Sequence, residues 1–321
     1  MSISLNKRMN QQPTITVLCG GFGAERDVSL ASGQALADAL EQDFSVDLID
    51  LREAVLPSGL DPLTTVVFPV VHGTFGEDGT LQTLLEEKGF SYAGSDRISS
   101  QLCMDKGRAK TKVAEVGVNG APDCYFQDPE SVDLENILSE LGNDLVIKPI
   151  DQGSSVALFV IRGREEFQNA LSTIDEGNWM IERRIFGREM TVGVLRGESM
   201  GVVEVIPDGG VYDFKRKYSA GATEYRYPAV LPLDLENGLK RNAEIVFQHC
   251  GCRDFARVDF IVCEDGHVHF LEINTLPGLT STSLLPKSAS CSGYDFQSLA
   301  MRLVEPAVDR FAQSVGNLLE K

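Results

Sequence analysis

The stretch that most limits what this chain can fold into is RVDFIVCEDGHVHFLEINTLPG, Arg257 to Gly278. Two runs of alternating β-branched and aromatic residues flank Asp265-Gly266, a dipeptide suited to a two-residue hairpin turn because both positions tolerate positive φ. With that pair as the loop, Glu264 faces His267, and counting back sets Phe260 against Leu271, Asp259 against Glu272 and Arg257 against Asn274. Side chains alternate across a strand. Val258, Phe260 and Val262 therefore share a core face with His269, Leu271 and Ile273, while Arg257, Asp259, Glu272 and Asn274 gather on the other. In this reading a one-residue change in turn length breaks the register.

Directly opposed strand positions have Cβ atoms about 4.5–5.5 Å apart, so Asp259 and Glu272 repel unless a proton or a cation lies between them. A hard divalent cation suits two carboxylates and an amide oxygen, and Mg²⁺ keeps positions open for substrate phosphates. Arg257 aims a guanidinium at the same spot, suited to a phosphate or a developing oxyanion. The plainer alternative is a solvated sheet face whose carboxylates point into water.

At 321 residues the chain has room for two or three cores. A net charge of -18 argues against nucleic acid or an anionic membrane as partner, since both call for a basic surface, but leaves room for ATP in a local cationic pocket. Seven scattered cysteines show no metal-finger spacing, and the densest cluster, His249-Cys250-Gly251-Cys252, reads as buried structure rather than zinc. The start lacks an apolar leader region, and no run approaches the roughly 20 apolar residues of a membrane span. The expected setting is the reducing cytoplasm.

Along the chain, Thr14 to Cys19 forms an apolar strand running into Gly20-Gly21-Phe22-Gly23 and then a helix, the opening of an α/β domain. A dinucleotide fingerprint fails, because counting from Gly21 its third glycine position is Arg26; Asp50 at the end of the next strand reads as a coincidence. Thr65 to Val71 is continuously apolar, as in a parallel strand buried on both faces, and leads to His72 where ligands of open α/β sheets bind. A strand over Leu145 to Ile147 ends in KPIDQGSSV, a loop whose backbone N–H groups and hydroxyls, Ser154 and Ser155 among them, can wrap phosphate oxygens while Lys148 adds charge. It is not a Walker loop. The polar segment from Asp213 to Tyr225 lacks periodicity and reads as a mobile loop. Leu235 to Cys250 and Phe296 to Leu319 read as helices.

These motifs, GGFGAERDVS, HGTFGEDGT, MDK, KPIDQGSSV, IERRIFGREMTV, YDFKRKYSAGATEY, RVDF and LEINTLPGLTSTSL, resemble in order those of the ATP-grasp ligases, and within them the D-alanine–D-alanine ligases. The resemblance implies an α/β, three-domain ATP-grasp architecture with an N-terminal Rossmann-like parallel-sheet domain over 1–104. A central ATP-grasp subdomain then spans 105–187 and a C-terminal one 188–321, with ATP between the last two. It implies ligation of two D-alanines through an acyl phosphate for peptidoglycan precursors, with ATP as co-substrate, two Mg²⁺ or Mn²⁺ ions, and a cytoplasmic homodimer.

Carried over residue by residue, Glu25 and His72 border the first amino-acid site, and Lys106, Lys148, Ser155 and Lys217 meet ATP phosphates. Glu182 and the backbone near Ile185 meet adenine, and Glu189 meets the ribose. Asp259, Glu272 and Asn274 hold the metal, Arg257 and the Gly278 N–H face the oxyanion, and Ser283 with the Leu284 backbone takes the second carboxylate. Tyr218 bonds Ser154, and Ser154 bonds Glu25, fastening a lid over the site. Gly23, Arg183-Arg184 and Thr282 depart from the family's usual residues. Rival readings are an ATP-grasp ligase for another amino-acid or hydroxy-acid pair, and a nucleotide-binding regulator without catalysis.

Overall fold

The computed structural model describes residues 12–153, 157–208 and 223–319. The first unit comprises β1 (Thr14–Gly20), α1 (Arg26–Leu40), β2 (Val46–Leu51), β3 (Thr65–Pro69), α2 (Thr80–Glu87) and β4 (Ser91–Tyr92). Its four strands are parallel in the order β2-β1-β3-β4. β3 is buried along its whole length, as its unbroken apolar run predicts. The connection after β1 runs to β2 at one edge and that after β3 to β4 at the other, which opens a crevice beyond the carboxyl ends of β1 and β3. Asp50 has a structural use there: its carboxylate takes Arg26 at 2.7 Å and Arg52 at 3.1 Å. Gly20 sits at φ +87°, where a Cβ would come within 2.2 Å of that carboxylate.

Helices α3 (Arg97–Met104) and α4 (Lys106–Ala114) meet at Asp105, which is extended and caps α4 by accepting the Arg108 N–H at 2.9 Å. A second, antiparallel sheet contains β5 (Asp123–Phe126), β6 (Asp144–Pro149), β7 (Phe159–Arg162) and β8 (Trp179–Arg183), in the order β5-β8-β6-β7, with α5 (Leu134–Leu141) and α6 (Gly163–Leu171) packed on it. The third sheet, β11-β10-β9-β12-β13, is formed by β9 (Arg188–Leu195), β10 (Glu198–Pro207), β11 (Thr223–Arg226), β12 (Phe255–Val262) and β13 (Val268–Asn274). Helix α7 (Leu233–His249) covers it, and α8 (Leu284–Ser290) and α9 (Phe296–Leu319) complete the chain.

Helix α9 returns to the first sheet. Leu299, Leu303, Val304 and Ala307 share one core with Ile15, Val66, Phe68 and Leu36. The Arg310 guanidinium grips both oxygens of the buried Asp254 carboxylate, at 2.8 and 2.6 Å, and donates to the Tyr92 carbonyl at 2.7 Å. Asp254 also accepts the Gly94 N–H at 2.9 Å. The turn that launches β12 is thus tied to the end of the first sheet.

The β12–β13 hairpin corrects part of the register drawn from the sequence. Arg257 pairs with Asn274 and Asp259 with Glu272 as expected, but Phe260 pairs with Phe270, not Leu271, and Val262 with Val268. The loop has three residues, Glu264 to Gly266, closed by the Cys263 N–H to the His267 carbonyl at 2.9 Å, with Gly266 at φ +86°. Cys263, not Glu264, therefore faces His267. A longer loop and a bulge that leaves Leu271 unpaired are two one-residue shifts that cancel before Asp259 is reached. The core face consequently keeps Ile273 as expected but carries Val268 and Phe270 in place of His269 and Leu271.

Candidate active site

Nine side chains and backbone positions nominated from the sequence surround one cavity of about 830 Å³: Glu25, His72, Lys106, Arg257, Glu272, Asn274, Gly278, Ser283 and Leu284. They come from the first unit, from α4 and from the third sheet with the turn that follows it. Glu25 caps the start of α1, His72 follows β3, Lys106 opens α4, and the remainder lie on β12, β13 and the turn into α8.

On the hairpin face, the Arg257 guanidinium binds Asp259 through Nε, which donates to Oδ1 at 2.9 Å and Oδ2 at 3.2 Å, and Nη2, which donates to Oδ2 at 2.7 Å, and Thr191 donates to the same carboxylate. Both members of the pair are buried. Asp259 is thus behind Arg257 rather than on the cavity wall. Glu272 reaches the wall and lies 3.8 Å from the Lys106 ammonium, which also donates to the Gln152 carbonyl at 2.6 Å. Asn274 Oδ1 accepts the Leu276 N–H at 3.1 Å, holding its side chain at the strand end.

His72 is buried, 3.9 Å from Glu77. Burial pushes its pKa down, but the Glu77 and Glu25 carboxylates raise it by more, so that the net direction is upward. Glu77, which accepts the Gly73 N–H at 2.6 Å, was not nominated from the sequence. Its signal was available in HGTFGEDGT, five residues beyond His72. Gly153 brings backbone close to both acids: a Cβ there would stand 3.4 Å from Glu25 Oε2 and 3.7 Å from Glu77 Oε2.

A second charged group lies under the second sheet. Lys148 contacts Oε2 of Glu182, and Lys110 reaches Oε1 at 2.5 Å. Lys110 also pairs with Asp123 and donates to the Ala121 carbonyl at 2.8 Å. Burial pushes the Glu182 carboxyl up, and the Lys148 and Lys110 ammonium groups more than offset this, holding it below the usual range. Burial lowers and Glu182 raises Lys148, with the net direction upward. Sequence reasoning missed Lys110, because a lone lysine four residues into a helix carries no signal until its buried partners are placed.

Lys148, Glu182, Ile185 and Glu189 are not on the cavity wall. Ile185 is in the half-buried connection from β8 to β9, and Glu189 on β9 lies opposite Ile261 and Val205. The adjoining Arg183-Arg184 pair divides its work. Arg183 turns to the Leu141 and Glu140 carbonyls, each at 3.0 Å, at the C-terminal end of α5. Arg184 lies over the exposed Phe186 ring, 4.7 Å from its centroid. Ser154, Ser155, Lys217 and Tyr218 lie outside the described residues. The seven cysteines are free, and Cys250 and Cys252 are buried beside Cys103, whose Sγ is 3.6 Å from that of Cys252.

Asp259, Glu272 and Asn274 present two carboxylates and an amide oxygen from one hairpin face, an all-oxygen donor set that fits Mg²⁺ or Mn²⁺. Because Arg257 grips Asp259, a metal held here would share that carboxylate with the guanidinium.

Comparison with known proteins agrees with this geometry. Residues 114–305 match a family model described as "D-ala D-ala ligase C-terminus" and residues 54–95 one described as "D-ala D-ala ligase N-terminus". A D-alanine--D-alanine ligase of Geobacter sulfurreducens is 40% identical over 299 residues, 90% of this chain and 92% of its own. The ATP complex of D-alanine--D-alanine ligase from Bacillus anthracis superposes with a TM-score of 0.80 at 27% identity, covering 94% of this chain and 99% of that one. The VanG D-Ala:D-Ser ligase of Enterococcus faecalis superposes with a TM-score of 0.81 at 26% identity, over 92% of this chain and all of its own.

Proposed function

The chain belongs to the D-alanine--D-alanine ligase family, and from that premise we propose that it joins two D-alanines into D-alanyl-D-alanine while converting ATP to ADP and phosphate. The observation that carries this reading is the convergence of Glu25, His72, Lys106, Arg257, Glu272, Asn274 and Ser283 on one cavity.

A carboxylate is a poor electrophile, so it must be activated before an amine can attack. An oxygen of the first D-alanine attacks the γ-phosphorus, the bond to ADP breaks, and an acyl phosphate forms. The amine of the second D-alanine then attacks the carbonyl carbon, the carbon–nitrogen bond forms, and phosphate leaves.

Glu25 and His72 hold and orient the first amino acid. Lys106, Lys148 and Lys217 neutralise the phosphates, and Glu182, the Ile185 backbone and Glu189 position the nucleoside between the second and third sheets. Asp259, Glu272 and Asn274 would hold Mg²⁺, which when bound spreads the negative charge of the transferring phosphoryl group. Arg257, fixed from behind by Asp259, needs no reorganisation to face the oxyanion, and the Gly278 N–H is the second donor. One such donor is typically worth about 3–4 kcal/mol. Ser283 and the Leu284 N–H receive the carboxylate of the second amino acid. Tyr218 and Ser154 close the lid against Glu25, which keeps water from the acyl phosphate.

A domain division at 105 and 188 belongs to the same proposal; the separation of the three sheets along the chain supports it, with α9 packed back onto the first. The family reading also carries a cytoplasmic homodimer, and sedimentation of the purified chain tests the dimer. No described helix is long and apolar enough to cross a membrane.

Oxygen-18 tracing tests the mechanism. With both carboxyl oxygens of D-alanine labelled, the reading predicts one labelled oxygen in each phosphate released; unlabelled phosphate would exclude the acyl phosphate.

A further inference from the structure

Lys287 is a buried lysine that the reaction scheme above does not use. It lies one turn into α8, just beyond Ser283 and Leu284, and its residue is 8% exposed. Its ammonium donates to the Thr282 carbonyl and lies 4.7 Å from the Tyr225 ring centroid and 5.8 Å from that of Tyr227. Among the described residues no carboxylate lies within ion-pair range of it, and burial alone shifts its pKa, downward. Sequestering a cation without a counter-ion is unfavourable by several kcal/mol unless dipoles and aromatic faces compensate. A methionine would fill the same space with no such penalty, so the ammonium itself needs a reason.

The turn that the ammonium grips is the one that presents Ser283. Ser283 Oγ accepts the Thr280 N–H at 3.1 Å and lies 2.8 Å from Thr280 Oγ1, which in turn is 3.0 Å from Thr282 Oγ1. The hydroxyls of Thr280, Thr282 and Ser283 are engaged with one another, and the Thr282 carbonyl is tied to Lys287. Gly278 leaves space for this arrangement, since a Cβ there would stand 2.9 Å from Ser283 Oγ. Thr280, Thr282, Ser283 and Tyr225 all line the cavity. The uncompensated charge is thus directly behind the wall assigned to the second carboxylate.

We propose that Lys287 is a positioning residue for the second amino acid: it fixes the Thr280–Ser283 turn through the Thr282 carbonyl and keeps a positive charge behind the acceptor carboxylate. The incoming carboxylate is then the missing counter-ion, and an acceptor without one gains nothing from Lys287. Tyr225 and Tyr227 hold the ammonium from the β11 side.

This inference rests on the ligase reading, and its test separates the two. Hydroxylamine attacks an acyl phosphate as an amine but has no carboxylate, so hydroxamate formation from ATP and D-alanine reports activation of the first substrate alone. In Lys287→Met, the ratio of dipeptide kcat/KM, taken for the acceptor D-alanine, to hydroxamate formation should fall about tenfold, as expected for loss of one charge-assisted contact. Lys287→Arg should restore most of the ratio. An unchanged ratio in a folded Lys287→Met protein, whether both activities fall together or neither falls, would overturn the proposal. Should Lys287→Met not fold, Lys287→Gln and Lys287→Arg are judged by the same ratio. Absence of hydroxamate with the unsubstituted protein would instead sink the acyl-phosphate reading itself.

Discussion

Replacing Lys110 by methionine removes the ammonium that Glu182 and Asp123 share while keeping most of the stem. In the folded protein this leaves Glu182, 4% exposed, with Lys148 as its one remaining counter-charge, and Asp123 with none from this group. The Ala121 carbonyl also loses its 2.8 Å donor. Breaking a buried pair by deleting one partner typically costs about 3–5 kcal/mol, because the charge left behind stays desolvated. The lower end is the better expectation, since Lys148 remains. The sign with pH follows from Glu182. Its pKa is depressed in the folded state, so its stabilisation is present above the unfolded value and lost as pH falls through the folded value. Urea denaturation at neutral pH should show the drop, and the deficit should narrow in acid as Glu182 protonates. Asp123→Asn in the same background should recover part of the loss, since Asp123 is the carboxylate that loses its Lys110 partner while Glu182 keeps Lys148. A Lys110→Met protein within about 1 kcal/mol of the parent, the range of an exposed ion pair, would refute the buried-network account.

Other expectations follow from the same geometry. Glu272→Gln should leave the denaturation midpoint nearly unchanged but raise the Mg²⁺ concentration needed for half-maximal turnover by tenfold or more, on the order of losing one charged ligand of a hard cation; kinetics at limiting Mg²⁺ resolve this, and an unchanged metal dependence would remove Glu272 from the site. Glu77 and Glu25 raise the His72 pKa above its ordinary value against the opposing effect of burial, so KM for the first D-alanine should rise as pH climbs through that raised value, and His72→Asn should flatten the profile. Asp254→Ala strands the Arg310 guanidinium and the Gly94 N–H, and chemical denaturation should register a loss of about 3 kcal/mol or more.

Much of this was legible in residue patterns, and the exceptions have physical causes. The polar cluster at Arg257, Asp259, Glu272 and Asn274 was placed correctly by counting from a turn of the wrong length. The bulge at Leu271 cancelled that error, because burying Phe270 beside Phe260 fixes the face more strongly than loop length does. The unbroken apolar run of β3 and the limits of α9 were readable from pattern. Where α9 packs was not, since an apolar stripe does not say which sheet it covers. Lys110 and Lys287 were invisible for the complementary reason: a lysine's meaning depends on whether it is buried and on what surrounds it. The Arg183-Arg184 departure resolved only in three dimensions, where Phe186 supplies a ring two residues further along.

The central claim is most directly tested by phosphate release from ATP in the presence of Mg²⁺, comparing D-alanine, D-serine with D-alanine, L-alanine and no amino acid. The account predicts release that requires D-alanine, with D-alanyl-D-alanine as the product by mass and no faster turnover when D-serine is added. Release that ignores D-alanine, or a mixed D-alanyl-D-serine product formed in preference, would contradict it.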